Sequence, residues 1–155
     1  SCRRVGHVFR CRLTGRMFTR SSFTAEWAGV VGAFWLWAPA VVVMAAIFFI
    51  SSLSDLSPLP GDVSDKTGHF AGYAVLGLAV LRAMARARLS GVTARSAARS
   101  WLVCLAYGAS DEFHQRFVPG RTPALDDLAA DAAGAATAIL LLWCVAVVGD
   151  RSRAV

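Results

Sequence analysis

The chain's 155 residues have room for about one domain, and 56% of them are hydrophobic, with a mean hydropathy of +0.53. A soluble chain is roughly 45–50% apolar, and here the excess falls in long uncharged runs, which excludes an ordinary soluble core. The net charge of +6 and pI near 9.9 would suit nucleic acid, but the basic residues alternate between connections and form no single patch, so that partner is excluded too.

Residues 1–26 are polar, basic and aperiodic, and read as a disordered cytoplasmic leader. With the apolar run behind them they imitate a signal peptide. That run exceeds the usual h-region of roughly 7–15 residues, and no small-residue cleavage site follows, so the helix is read as retained, with Met17 a candidate initiator. Gly29 to Ile50 is 22 residues without a charge, long enough to cross a bilayer, with Pro39 expected to kink it. Pro58, Pro60 and Gly61 break the chain in the loop that follows. A second span is expected from Asp65 to Met84, a turn through Ser90 and Gly91, and a third span from Ala97 to Phe117. After a turn at Pro119–Gly120, a fourth span runs to Val148, with Thr122 expected as its N-cap and Pro123 at its first position. The predicted architecture is all-α: a four-helix transmembrane bundle over 27–149, followed by a short tail, 150–155.

Orientation follows the basic residues. Thirteen, all arginines, lie in the leader, in or beside the connection between spans two and three, or after span four. Only Lys66, Arg116 and Arg121 lie in the other connections. Basic residues in short loops stay inside, which predicts both termini in the cytoplasm and a multi-pass protein of the inner (cytoplasmic) membrane. Of the cysteines, Cys2 and Cys11 fall in the leader and Cys104 and Cys144 in apolar spans, without metal-type spacing.

Only 11 residues separate Arg99 from Asp111, about 17 Å of helix against a hydrocarbon core near 30 Å, so span three must draw polar residues below the interface. Asp65, His69 and Tyr73 recur at i+4. Tyr107, Asp111 and His114 or Gln115 recur at three or four, and Asp127 and Asp131 at four. Three helices thus each carry a polar stripe near the outer end. Stripes in lipid are costly unless they face one another, so they are expected to line one outward-facing pocket. Gly68, Gly72, Gly77, Gly108, Ala129, Ala130, Ala133 and Gly134 would let the backbones approach closely.

The run Asp65-Lys66-Thr67-Gly68-His69-Phe70-Ala71-Gly72-Tyr73, continuing to Leu76-Gly77, resembles the first signature of the VanZ-like family. Tyr107 to Arg121 (YGASDEFHQRFVPGR) resembles the second, and Ser51-Ser52-Leu53-Ser54 fits as well. The resemblance covers about Phe34 to Val148 and implies a small integral membrane protein of the bacterial envelope, of a family associated with resistance to the glycopeptide teicoplanin. After Arg121 the family pattern has Ser, Asp and Asn, where this chain has Ala124, Asp127 and Asp131. Asp in place of Asn keeps the shape and adds a titratable proton. Some relatives carry a phosphotransbutyrylase label, but this chain has no phosphate-cradling glycine loop and no acyl-CoA domain to match it.

Several functional readings stand side by side. Asp111 and His114, with His69, are either a catalytic acid–base set in a membrane enzyme, a hydrolase or transferase of a lipid-linked head group, or interhelical hydrogen-bond partners. Lys66, Arg116 and Arg121 are either a clamp for an anionic or lipid-linked envelope molecule or members of local ion pairs: Asp62–Lys66, Glu112–Arg116, and Arg121 with Asp126 or Asp127. Asp65, Tyr73, Glu112, Gln115, Asp127 and Asp131 complete the expected ligand-binding set. A metal could be assembled from His69, His114 and the carboxylates, but no helix carries a paired-histidine motif, so neither a metal nor another cofactor is expected. The leading reading is a membrane accessory or binding protein. A transporter would need a homo-oligomer, with which the pattern is compatible.

Overall fold

The structure, a computed structural model, describes residues 2–5, 8–11, 20–54 and 65–152, with side chains from residue 31 onward. Four helices dominate: α1 (Arg20–Ser51), α2 (Asp65–Met84), α3 (Ala94–Gln115) and α4 (Leu125–Arg151). Within residues 1–26, the described segments are two short strands and the start of α1. Strand β1 (Cys2–Val5) pairs antiparallel with β2 (Val8–Cys11), and α1 begins at Arg20, ahead of the apolar run. Residues 1–35 and 36–155 form separate compact units. The loop with Pro58, Pro60, Gly61 and Asp62 lies outside the described residues, as does Met17.

In the second unit the helices alternate in direction. Residues 36 and 82 meet at one end of α1 and α2, while α1 and α3 run parallel, with Tyr107 donating to the Met44 carbonyl at 2.6 Å and Ser51 reaching Asp111. Helices α2 and α4 also run parallel and approach most closely. A Cβ on Gly77 would lie 3.1 Å from the Ala135 carbonyl, and one on Gly134 would overlap the Phe70 carbonyl. Of the small residues expected at contacts, Gly77, Gly108 and Gly134 serve, whereas Gly68, Ala129 and Ala133 are exposed.

Burial is inverted relative to a soluble protein. The interior holds Tyr73, Leu76, Val80 and Leu81 among small residues such as Ala79, Ala97 and Ala135, together with Asp111, Glu112, Gln115, Asp127 and Asp131. The outer faces carry Phe49, Val75, Leu78, Leu102, Phe113, Leu141 and Val145. Two helical segments, Val31–Ser51 and Leu125–Arg151, are long and apolar enough to cross a membrane, and only 6% of the first is buried, unlike the core helix of a soluble protein.

Helix ends depart from the sequence expectation in instructive ways. Pro39 lies inside helix α1, which continues on both sides of it. Helix α3 starts three residues early because Thr93 and Ser96 form a capping box, each side chain accepting the other's backbone N–H. Helix α4 is not capped by Thr122. It begins at Leu125, its N-cap Ala124 has no side-chain acceptor, and the Ala124 N–H instead donates to Glu112 Oε2 at 2.9 Å. A carboxylate from the preceding helix thus takes over the cap, and also faces the positive end of the α4 dipole. The turn between them closes at Gly120, whose φ of +81° an L side chain would resist.

Candidate functional site

The polar residues of α2, α3 and α4 gather where α2 and α4 begin and α3 ends. They form two adjoining groups, both within the second unit. In the first, His69 Nδ1 lies 3.0 Å from Asp131 Oδ1, and the Asp131 side chain is fully buried. Its second oxygen, Oδ2, has no hydrogen-bond partner. The space a Gly108 Cβ would fill is bounded by that same oxygen at 3.1 Å and by Tyr73 Cε1 at 3.3 Å, so glycine at 108 is what lets α3 close over both. Tyr73 is 1% exposed and its hydroxyl is also unpartnered. Glu112 holds the α4 N-terminus through Oε2 and leaves Oε1 buried and free. His69, Glu112 and Asp131, one each from α2, α3 and α4, offer donor atoms all within 4.8 Å of one another. Asp65, His69 and Asp127 meet the same measure nearer the surface.

The second group faces α1. Ser51 Oγ donates to Asp111 Oδ2 at 2.7 Å, leaving Asp111 Oδ1 unpartnered. Ser52 Oγ lies 3.0 Å from His114 Nε2, and the His114 ring stacks on Phe48 with centroids 4.4 Å apart. Asp111 therefore pairs with the last residue of α1 and His114 with the serine just beyond it, and no hydrogen bond joins them to each other among the described contacts. Ser51 and Ser52 are the functional candidates that spacing arguments missed. They are uncharged and follow a long apolar run, so periodicity does not mark them, although their place in the Ser51–Ser54 resemblance did.

The rim is cationic but engaged. Lys66 pairs with Asp126. Arg121 Nε donates to the Leu53 carbonyl at 3.3 Å, and its guanidinium lies 3.6 Å from Asp65 Oδ2. Asp62, the expected partner of Lys66, lies outside the described residues, and the other expected local pairs give way to contacts between elements. Glu112 caps α4 where Arg116 was expected, and Arg121 reaches back to α2 instead of on to Asp126 or Asp127. The physical reason is convergence: the starts of α2 and α4 stand side by side and bring better-placed partners than one turn of helix offers. Arg116 is exposed over the Phe113 ring, 5.7 Å from its centroid, and Gln115 is buried.

Of the sequence-derived site residues, Asp65, Tyr73, Glu112, Asp127, Asp131 and His69 come together around the first group, and Asp111 and His114 line the second. Arg121 bridges the end of α1 and the start of α2, and Arg116 faces outward. The arrangement can hold a cation among carboxylates, relay a proton between His69 and Asp131, or present Arg121 and Lys66 to an anion at the rim.

No curated protein and no solved structure matches the chain. A profile of one family, described as VanZ/LLP1, matches residues 15–147 and so takes in α1 to α3, most of α4 and both polar groups. With a match over most of its length, the chain belongs to the VanZ/LLP1 family.

Proposed function

We propose that this chain is a four-span protein of the bacterial inner membrane, with both termini cytoplasmic. At the outer end of the bundle it captures the head group of an anionic, lipid-linked envelope molecule. One observation carries the reading: a buried polar cluster with free hydrogen-bonding atoms sits at one end of helices whose outward faces are large and apolar. Lipid accounts for the apolar faces of α2 and α3 as well as those of α1 and α4, because all four carry exposed large hydrophobics. The arginines Arg82, Arg86, Arg88, Arg95 and Arg99 stand at the far end from the cluster, which supports placing the cluster outside. At the rim, Arg121 offers a planar fork to phosphate or carboxylate, with Lys66 nearby. An envelope ligand of this kind would link the site to teicoplanin-type glycopeptide sensitivity.

A catalytic reading is favoured by one contact. The part-buried His69–Asp131 pair, at 3.0 Å, is the direct imidazole–carboxylate contact among the described residues, so acid–base work would fall to it before His114 and Asp111.

The test is mass spectrometry of lipids co-purified with the wild type and with Arg121→Ala, at matched amounts of folded protein. An anionic or lipid-linked species enriched with the wild type and reduced several-fold in the variant is expected. The same bulk lipids in both would overturn head-group capture.

A further inference from the structure

We propose that His69, Glu112 and Asp131 form a binding site for one divalent metal ion of the zinc type. The proposal goes beyond head-group capture and stands without it. Three helices each contribute one residue, and their donor atoms all lie within 4.8 Å of one another. Bonds of about 2.0–2.2 Å to a common ion bring tetrahedral ligands roughly 3.3–3.6 Å apart, so only a small rotameric contraction is needed.

The second observation concerns what those residues leave undone. Asp131 Oδ2 and Glu112 Oε1 are buried and have no hydrogen-bond partner, in residues 0% and 9% exposed. Buried carboxylate oxygens are costly to leave unmet, and two of them in one cluster of this kind point to a shared cation. Glu112 Oε2 is tied to the Ala124 N–H at 2.9 Å, a partner outside the set of the sort that orients a metal ligand. His69 Nδ1 and Asp131 Oδ1 already stand 3.0 Å apart, so two of the ligands are held together.

Ligand chemistry selects the ion. One imidazole with two carboxylates is a mixed nitrogen–oxygen set that suits zinc and its first-row neighbours better than magnesium or calcium, which prefer oxygen alone. Three protein ligands leave a further position for water or an anionic oxygen, as in metal sites that act on ligands. The outer set of Asp65, His69 and Asp127 shares His69, but Asp65 is exposed and takes part in the Arg121 contact. We therefore assign the ion to the inner set.

The experiment uses the full-length protein in detergent, stripped with a chelator and titrated with Zn²⁺ alone. Bound metal is counted by elemental analysis, and thermal unfolding is followed by tryptophan fluorescence. One Zn²⁺ per chain and a raised unfolding midpoint are expected. Co²⁺ in its place should give the visible absorption of a four-coordinate site. Asp131→Asn keeps the shape and a hydrogen bond to His69 while removing a charge, so it tests binding apart from folding. Asp131→Asn and Glu112→Gln are each expected to weaken Zn²⁺ binding at least tenfold, with Asp131→Asn still folded without metal. Absence of stoichiometric Zn²⁺, or equal affinity in the wild type and both variants, overturns the proposal. Loss in Asp65→Asn but not in Glu112→Gln overturns it as well, by moving the ion to the outer set. None of these readouts involves lipid, so failure here leaves head-group capture standing, and failure of lipid enrichment leaves the metal site standing.

Discussion

Gly134→Ala tests the packing that builds the site. A Cβ there overlaps the carbonyl of Phe70, a backbone group that cannot rotate aside. Carbon and oxygen need about 3.3 Å between helices, so α2 and α4 must part by roughly an ångström or tilt. Overpacking strain of this kind costs about 1–3 kcal/mol, and contact with backbone argues for the upper end. Alanine in a helix recovers about 1 kcal/mol over glycine, leaving a net loss of roughly 2 kcal/mol. The control lies on the same helix: a Cβ at Gly149 meets nothing within 4 Å, so Gly149→Ala should be neutral or stabilising by up to about 1 kcal/mol. Reversible unfolding in detergent with increasing denaturing surfactant would measure both. Separation of α2 from α4 would also stretch the 3.0 Å His69–Asp131 contact, which crosses the same interface, so Gly134→Ala should shift the His69 imidazole resonances while Gly149→Ala leaves them in place. If Gly134→Ala proves as stable as Gly149→Ala with the His69 signals unmoved, the close approach of α2 and α4 is refuted.

Ser51→Ala removes the donor to Asp111 Oδ2, and a double-mutant cycle with Asp111→Asn should return a coupling of about 1 kcal/mol; strict additivity would remove Ser51 from the site. For topology, a protease-cleavable tag after Val155 should stay protected in intact spheroplasts and become cleavable once the membrane is broken. Cleavage in intact spheroplasts would overturn the orientation.

Helix positions and polar stripes were largely legible in the chain, because both arise from local spacing. The i+4 rhythm of Asp65, His69 and Tyr73 and of Asp127 and Asp131 placed the first group's residues on the correct faces. Partners were less legible. Sequence scores only neighbours along one helix, which matches Glu112 to Arg116, whereas its partner is the Ala124 N–H at the N-cap of α4. Lys66 pairs with Asp126 of α4, while Asp62, its neighbour in sequence, lies outside the described residues. The cap of α4 failed for the same reason: Thr122 has the right chemistry, but the acceptor that reaches the helix end comes from α3. Ser51 and Ser52 are uncharged, so neither charge counting nor hydropathy singles them out; the resemblance marks the segment, and contact with Asp111 and His114 gives each serine its place in the site.

Charge balance ties the two polar groups to one chemistry. Asp111, Glu112, Asp127 and Asp131 are all buried at the same end of the bundle, whereas Lys66 stays at the exposed rim with Asp126. Burying charge without a partner is costly, so a cluster of four carboxyl groups calls for compensation. His69 supplies one partial counter-charge and Arg121, reaching in from the rim toward Asp65, a second. An anionic head group pushed in directly would add to the excess. It is accommodated either at the rim, against Arg121 and Lys66, or inside, once protons or a metal ion have neutralised the carboxylates. A cation at His69, Glu112 and Asp131 would therefore do more than stabilise the bundle, because it would convert an acidic recess into one that accepts an anionic oxygen. Asp131 is central to that conversion: asparagine in its place would preserve a hydrogen bond to His69 but contribute no charge to hold the cation.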